Sequence, residues 1–161
     1  MKVKIIMGSK SDLEVGKKAV KVLEDLDISY QMTVSSAHRT PERTKELCKG
    51  AEVFITIAGL SAALPGVVAS HTIKPVIGVP VSGKMNLDSL LSIAQMPPGI
   101  PVATVGLDRG DNAALLAAEI LAVSDDDIRG RLDDYREERR EKVKADGDEI
   151  ESMYNSGDGI V

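Results

Sequence analysis

The chain has 161 residues, enough for one domain with a real hydrophobic core, but only one Phe, three Tyr and no Trp to fill it. Its formal net charge of −5 argues against a general nucleic-acid binder, which needs a basic face. A single Cys excludes an intrachain disulfide, one Cys with two His argues against a protein-only zinc site, and no apolar run approaches the ~20 residues that span a membrane.

In chain order, Met1-Lys2-Val3-Lys4 enters a strand without the pattern of a signal peptide, so a cytoplasmic protein is expected. Val3 to Met7 is a β-branched run that stops at Gly8-Ser9-Lys10-Ser11-Asp12. Val15, Ala19, Val22, Leu23 and Leu26 then share one helical face, with Asp12 or Ser11 as the expected N-cap. Ser29 to Val34 reads as a second strand. Pro41 opens the next helix, at a position where its missing N–H costs nothing. Glu52 to Ala58, Lys74 to Val81 and Pro101 to Val105 read as three further strands. Helices are expected from near Pro65, over Leu87 to Ala94 and over Asp111 to Val123. Short strands alternating with helices imply parallel strands joined by right-handed crossovers, an α/β sheet covered on both faces.

After Ser124 the character changes. Ser124 is the expected N-cap of a helix that begins with Asp125, Asp126 and Asp127. This helix is dense in mixed charge and poor in apolar residues. Residues 1–123 are therefore read as the α/β domain, 124–146 as a helix that either lies along a neighbouring subunit or packs by a narrow stripe, and 147–161 as a flexible tail.

Open parallel sheets bind ligands at the carboxyl ends of their strands. Four turns lie at such ends. Gly8 to Asp12 offers close backbone approach, two hydroxyls and a carboxylate, yet lacks the second Gly and the Gly-Lys-Ser/Thr of a Walker loop. Ser35-Ser36-Ala37-His38-Arg39-Thr40-Pro41 places hydroxyls, a guanidinium and a helix start beside an imidazole, the side chain that changes charge near neutrality. That combination suits a phosphate held beside a proton carrier. Ala58 to Gly66 is a run of small residues against which a flat ring could lie, although tight strand–helix packing explains it as well. Ser82 to Asn86 is polar, and Lys84 could reach an anion or simply be solvated. His71 and Cys48 read as structural.

Several of these stretches carry a resemblance: Ile5-Ile6-Met7-Gly8-Ser9-Lys10-Ser11-Asp12, Ser36-Ala37-His38-Arg39-Thr40-Pro41, Ala58-Gly59 with Leu64-Pro65-Gly66, Pro75 to Val81, Leu87 to Ser92 with Gln95-Met96-Pro97, Gly99 to Val105 and Asn112 to Ala118. Together, in order and over about Lys2 to Val143, they closely resemble the PurE family of purine biosynthesis. The resemblance implies a three-layer, flavodoxin-like α/β/α fold with an extra C-terminal helix, assembled as a homo-octamer in which that helix packs on neighbouring subunits. It implies a cofactor-free reaction that forms 4-carboxy-5-aminoimidazole ribonucleotide. The carboxyl group comes either from the N5-carboxy isomer (mutase branch) or from CO2 added to aminoimidazole ribonucleotide (carboxylase branch). No nucleic acid or membrane partner is implied. Carried onto this sequence, Ser9, Ser11 and Arg39 hold the 5′-phosphate and Asp12 the ribose. Ser36 and His38 sit by the base, with His38 as general acid and base, and Gly8 and Ala37 are further substrate-binding residues. Ala58, Gly59 and Leu64 line the pocket for CO2.

One position departs from the pattern. Mutase-type members carry His immediately before Leu-Pro-Gly, and here that place is Ala63. Ser61 to Leu64 partly echoes the carboxylase type, whereas Arg39, Pro65-Gly66 and Gln95-Met96-Pro97 look mutase-like. The mutase is the favoured expectation and the carboxylase the alternative. A non-catalytic nucleotide-binding module is a remote rival. A receiver-type module would need acidic residues where Gly8-Ser9 and Ala58-Gly59 stand.

Overall fold

The structure is a computed structural model, and it describes residues 1–84 and 86–154. Three apolar runs form the interior of a parallel sheet: β1 (Val3–Met7), β3 (Val53–Ala58) and β4 (Val76–Pro80), each buried at every position. Unbroken burial is what a strand covered on both faces requires, and it is why these runs do not alternate with polar residues. The edges are β2 (Tyr30–Val34), half-exposed, and β5 (Ala103–Thr104). All pairings are parallel, in the order β2-β1-β3-β4-β5. This is the flavodoxin-like order, whose direction reverses between β1 and β3.

The helices are α1 (Leu13–Asp25), α2 (Pro41–Leu47), α3 (Leu64–Ser70), α4 (Asn86–Ala94), α5 (Gly110–Ala122) and α6 (Asp126–Tyr154). Strand period two divides them into two layers. Val3, Ile5, Met7, Ile55, Ile57, Ile77 and Val79 face α1, α5 and the start of α6. Ile6, Phe54, Ala58 and Val76 face the other way, onto Cys48, Leu64, Val68 and Ile93 of the α2, α3 and α4 side. Each large apolar side chain so buried contributes about 1.5–3 kcal/mol by leaving water. Lys4 tolerates burial in β1 because its ammonium donates to the carbonyls of Leu47 (3.0 Å) and Lys49 (2.6 Å) at the end of α2.

Two glycines set the layer spacing. A Cβ on Gly78 would lie 2.3 Å from Ile93 Cγ2, so α4 can approach β4 only because that atom is missing. A Cβ on Gly110 would lie 2.2 Å from the Val15 carbonyl oxygen. There α5 meets α1 through Gly110, Ala113, Ala114, Ala117 and Ala118, all buried.

Several local expectations need correction. The fifth strand pairs only at Ala103 and Thr104, not over Pro101 to Val105; Pro101 has no N–H to give a ladder. The cap of α6 is Asp125, not Ser124: its carboxylate accepts the Ile128 N–H at 3.1 Å and also pairs with Lys2 at 2.7 Å. Lys2 and the Ile128 N–H hold the Asp125 carboxyl below the usual range. The last helix does not stop at 146. It continues through Gly147 to Tyr154, because one glycine costs only ~1 kcal/mol in a run of good helix formers. Residues 155–161 of the expected tail lie outside the described residues. α6 buries only Ile128 and Leu132, and every residue from 136 to 154 is exposed. No described helix is long and apolar enough to cross a membrane.

Candidate active site

The strand order reverses between β1 and β3, and the crevice above their carboxyl ends holds a cavity of about 700 Å³. It is lined by Gly8, Ser9, Ser11 and Asp12 after β1, by Ser36, Ala37, His38 and Arg39 after β2, and by Ala58 to Leu64 after β3. Val81, Ser82 and Gly83 after β4 complete the wall. Eleven residues singled out in the sequence thus meet around one space, although they come from three turns.

The first turn is rigid by construction. Gly8 continues the β1–β3 ladder, its N–H donating to the Ile57 carbonyl at 2.9 Å. The next residues form a single 3-10 turn, Lys10–Asp12, closed by a capping box. Ser9 Oγ accepts the Ser11 N–H at 3.3 Å, and Asp12 Oδ2 accepts the Ser9 N–H at 3.0 Å. Ser11 Oγ donates to Asp12 Oδ1 at 3.1 Å. Asp12 therefore makes no side-chain cap to α1, contrary to the sequence expectation; its carboxylate is turned back to close the turn before the helix. It is almost buried, and desolvation pushes its pKa up, opposed by the Ser11 hydroxyl and the Ser9 N–H. A carboxyl whose folded pKa is raised favours the fold while protonated, so this contribution is lost as pH rises through the carboxylate range.

The second turn hangs on Ser35, expected from the sequence to offer its hydroxyl to a phosphate. Ser35 is buried, its N–H donates to the Met7 carbonyl at 2.9 Å, and its hydroxyl lies 3.1 Å from Thr40 Oγ1 and 2.9 Å from Thr44 Oγ1. Thr40 Oγ1 also accepts the Ser36 N–H at 3.0 Å. This knot holds Ser36 to Arg39 outward over the cavity. Ser36 Oγ accepts both the backbone N–H and the Nε–H of Arg39, each at 3.3 Å, and Arg39 Nη2 reaches the Gly8 carbonyl at 3.5 Å. No carboxylate lies at ion-pair distance from Arg39 among the described residues, so its charge is available to an anion. The N-terminus of α2, expected to help hold a phosphate, does not line the cavity, and Thr40 at its N-cap makes no side-chain cap. His38 is exposed on the cavity rim and makes no hydrogen bond among the described residues.

The third turn has few bonds. The Ala62 N–H donates to the Gly59 carbonyl at 3.0 Å, and Leu60 and Ala62 adopt φ of 52° and 45°. These are left-handed conformations that a non-glycine residue adopts at a cost. Leu60 is 91% exposed. Ala63, where mutase-type relatives were expected to carry His, lines the cavity, so of the two histidines only His38 does. His71 caps the far end of α3. Cys48 is buried, its thiol donates to the Thr44 carbonyl, and burial pushes its pKa up; it is not a poised nucleophile. Among the described residues no three His, Cys, Asp or Glu converge as a metal site.

Sequence reasoning flagged the loop after β4 but looked to Lys84. Lys84 is exposed and does not line the cavity, whereas Val81, Ser82 and Gly83 do. The signal available for them was their place directly after the fourth strand.

Fold and site define a flavodoxin-like α/β protein whose crevice combines a turn closed by hydroxyls and N–H groups, a guanidinium without a carboxylate partner among the described residues and one imidazole. The comparisons with known proteins narrow this class. The family model AIR carboxylase matches residues 2–142, and the chain belongs to this family, the PurE family. It is 56% identical over 153 residues to the N5-carboxyaminoimidazole ribonucleotide mutase of Methanocaldococcus jannaschii, covering 93% of this chain and 98% of that protein. It is 58% identical over 146 residues to the enzyme of the same name from Pyrococcus abyssi, covering 86% and 84%. Among solved structures, Treponema denticola PurE superposes with a TM-score of 0.83 at 32% identity, covering 92% of this chain and 97% of that one. Membership makes this chain an enzyme of purine biosynthesis.

Proposed function

We propose that this chain moves the carboxyl group of N5-carboxyaminoimidazole ribonucleotide from N5 to C4, giving 4-carboxy-5-aminoimidazole ribonucleotide, without a cofactor. The observation that carries the reading is the meeting of Arg39, the Ser9–Asp12 turn, His38 and the small-residue wall in one cavity, in a chain similar to proteins named for this mutase. Ser9, Ser11 and Arg39 hold the 5′-phosphate, where hydroxyls and a fixed cation suit an anion. Gly8 allows its close approach, and Asp12 receives the ribose hydroxyls. Ser36 and Ala37 flank the base.

His38 closes a proton cycle. As imidazolium it gives a proton to N5 while the N5–carboxyl bond breaks and CO2 is released. C4 then attacks CO2 with its ring π electrons, forming the new C–C bond. Neutral His38 takes the C4 proton and returns to its starting state. Ala58, Gly59 and Leu64 keep CO2 beside C4 between the two steps, so its return is effectively unimolecular. One imidazole suffices, because His38 gives one proton to N5, takes another from C4 and so ends as it began.

A second reading, direct carboxylation of aminoimidazole ribonucleotide with CO2, is favoured by one observation: Ala63 and Ser61 line the cavity where the mutase pattern has His. Purified protein is offered the N5-carboxy isomer, and separately aminoimidazole ribonucleotide with bicarbonate. The mutase reading expects efficient turnover of the first; efficient turnover of the second at low bicarbonate would overturn it in favour of the carboxylase. Homo-octameric assembly goes with the same reading. The exposed stretch of α6 from 136 to 154, with Val143, Ile150 and Met153 open to solvent in the single chain, supports packing on neighbouring subunits. A solution mass of eight chains by light scattering is expected, and a monomer would contradict it. A cytoplasmic location belongs to this reading as well.

A further inference from the structure

The loop after β4 forms the cavity wall at Val81, Ser82 and Gly83, and hydrogen bonds from three parts of the chain hold it. The Val81 N–H extends the ladder to the Ala58 carbonyl at 3.0 Å. Ser89 of α4, buried, donates its hydroxyl to the Val81 carbonyl at 3.1 Å. The third bond comes from elsewhere in the chain: Asp108 Oδ1 accepts the Ser82 N–H at 2.9 Å. Asp108 lies between β5 and α5 and does not line the cavity. Its own place is fixed from two directions. Its N–H donates to the Pro80 carbonyl at 2.9 Å, and its carbonyl accepts Lys18 Nζ of α1 at 3.1 Å. Its φ of 57° is left-handed, a conformation that Asp and Asn tolerate better than most residues. A bond from a backbone N–H to a carboxylate is charge-assisted, hence stronger than the neutral pair of a turn.

We propose that Asp108 is a positioning residue for the cavity: its carboxylate fixes Ser82 and Gly83 in the wall and acts on substrate through that loop, without touching it. The inference rests on the cavity being the site of the reaction proposed above. Two substitutions separate the hydrogen bond from the backbone conformation. Asp108→Asn keeps both an acceptor oxygen and tolerance of positive φ. Asp108→Gly keeps the conformation and removes the acceptor.

The test measures kcat and KM for the N5-carboxy substrate, the melting temperature, and amide exchange at Ser82 in the whole protein. For Asp108→Gly we expect KM to rise about tenfold with kcat within about twofold of wild type, and Ser82 to exchange faster; Asp108→Asn stays within about twofold in both constants. A merely structural role would reduce the active fraction, and so kcat, at unchanged KM. An unchanged KM in Asp108→Gly, or equal impairment of both variants, overturns the proposal. If Asp108→Gly does not fold, Asp108→Asn decides alone: wild-type KM supports the proposal and a tenfold rise overturns it. Wild-type protein inactive on both candidate substrates removes the functional reading and this proposal with it. An active wild type with an unshifted Gly variant removes only the role of Asp108.

Discussion

The turn after β1 and the turn after β3 sit side by side on adjacent strands, and they are built on opposite terms. Gly8 to Asp12 is closed by a capping box, a Ser–Asp bond and a ladder hydrogen bond. Gly59 to Ala63 has one turn bond, two left-handed residues that are not glycine and an exposed leucine at its tip. The first turn is finished before any ligand arrives, as a site for a constant group such as a phosphate should be. The second is held in place mainly by its ends and carries backbone strain. It also holds Ala63, where the resemblance led to the expectation of a mutase-type His. On the proposed function this difference divides the labour: the β1 turn with Arg39 holds the nucleotide, and the β3 turn, facing His38, holds its carboxyl group.

Substitutions should respect that division. The largest effect is expected at His38, on the cavity rim after β2. His38→Asn should lower turnover by about 10²–10⁴-fold while substrate still raises the melting temperature; activity near wild type would remove the proton cycle. Next comes Arg39→Gln on the binding side. A rise in KM of about 10–100-fold with a much smaller change in kcat is expected, and a loss confined to kcat would show that Arg39 serves the chemistry instead.

The buried Asp12 gives a pH signature of the first turn. Its raised pKa means the folded state binds more protons than the unfolded one in the carboxylate range, so wild-type stability falls there as pH rises. Asp12→Asn lacks this term. The stability of the variant minus that of wild type, measured by denaturant unfolding without ligand, should therefore increase with pH from below about 3 to above about 6. A flat difference would mean that Asp12 is not desolvated. The smallest effect is expected at Leu60. Leu60→Gly relieves the left-handed conformation at φ 52° of a residue that is 91% exposed, and should stabilise the fold by up to about 1 kcal/mol. Unchanged stability would count against strain in the β3 turn.

Much of this comparison was legible in the sequence, and the reasons are physical. β1, β3 and β4 are buried on both faces, so they had to be written as continuous apolar runs, and their ends placed the turns. The residues of the site follow those ends directly. What the sequence hid depends on contacts across the chain. Ser35 looked like one more hydroxyl of the phosphate turn, yet its burial under Thr40 and Thr44 makes it the anchor of that turn. Left-handed geometry at Leu60 and Ala62 has no sequence signal, because neither is Gly or Asn. Asp108 supports Ser82 from 26 residues away, a distance no local pattern spans. Asp12 and Ser124 were plausible caps by type, but a carboxylate or hydroxyl near a helix start has competing partners. Asp12 turned to Ser9 and Ser11, and Asp125 took the α6 cap while pairing with Lys2.

The central claim is that the carboxyl group stays in the cavity while it moves from N5 to C4. The direct measurement supplies N5-carboxyaminoimidazole ribonucleotide labelled with carbon-13 in its carboxyl group, in buffer containing unlabelled bicarbonate, and reads the label in the product. Retention of the label in 4-carboxy-5-aminoimidazole ribonucleotide is the expected result. A product labelled only to the level of the bicarbonate pool would contradict it, because CO2 would then have left the small-residue wall before C4 could capture it.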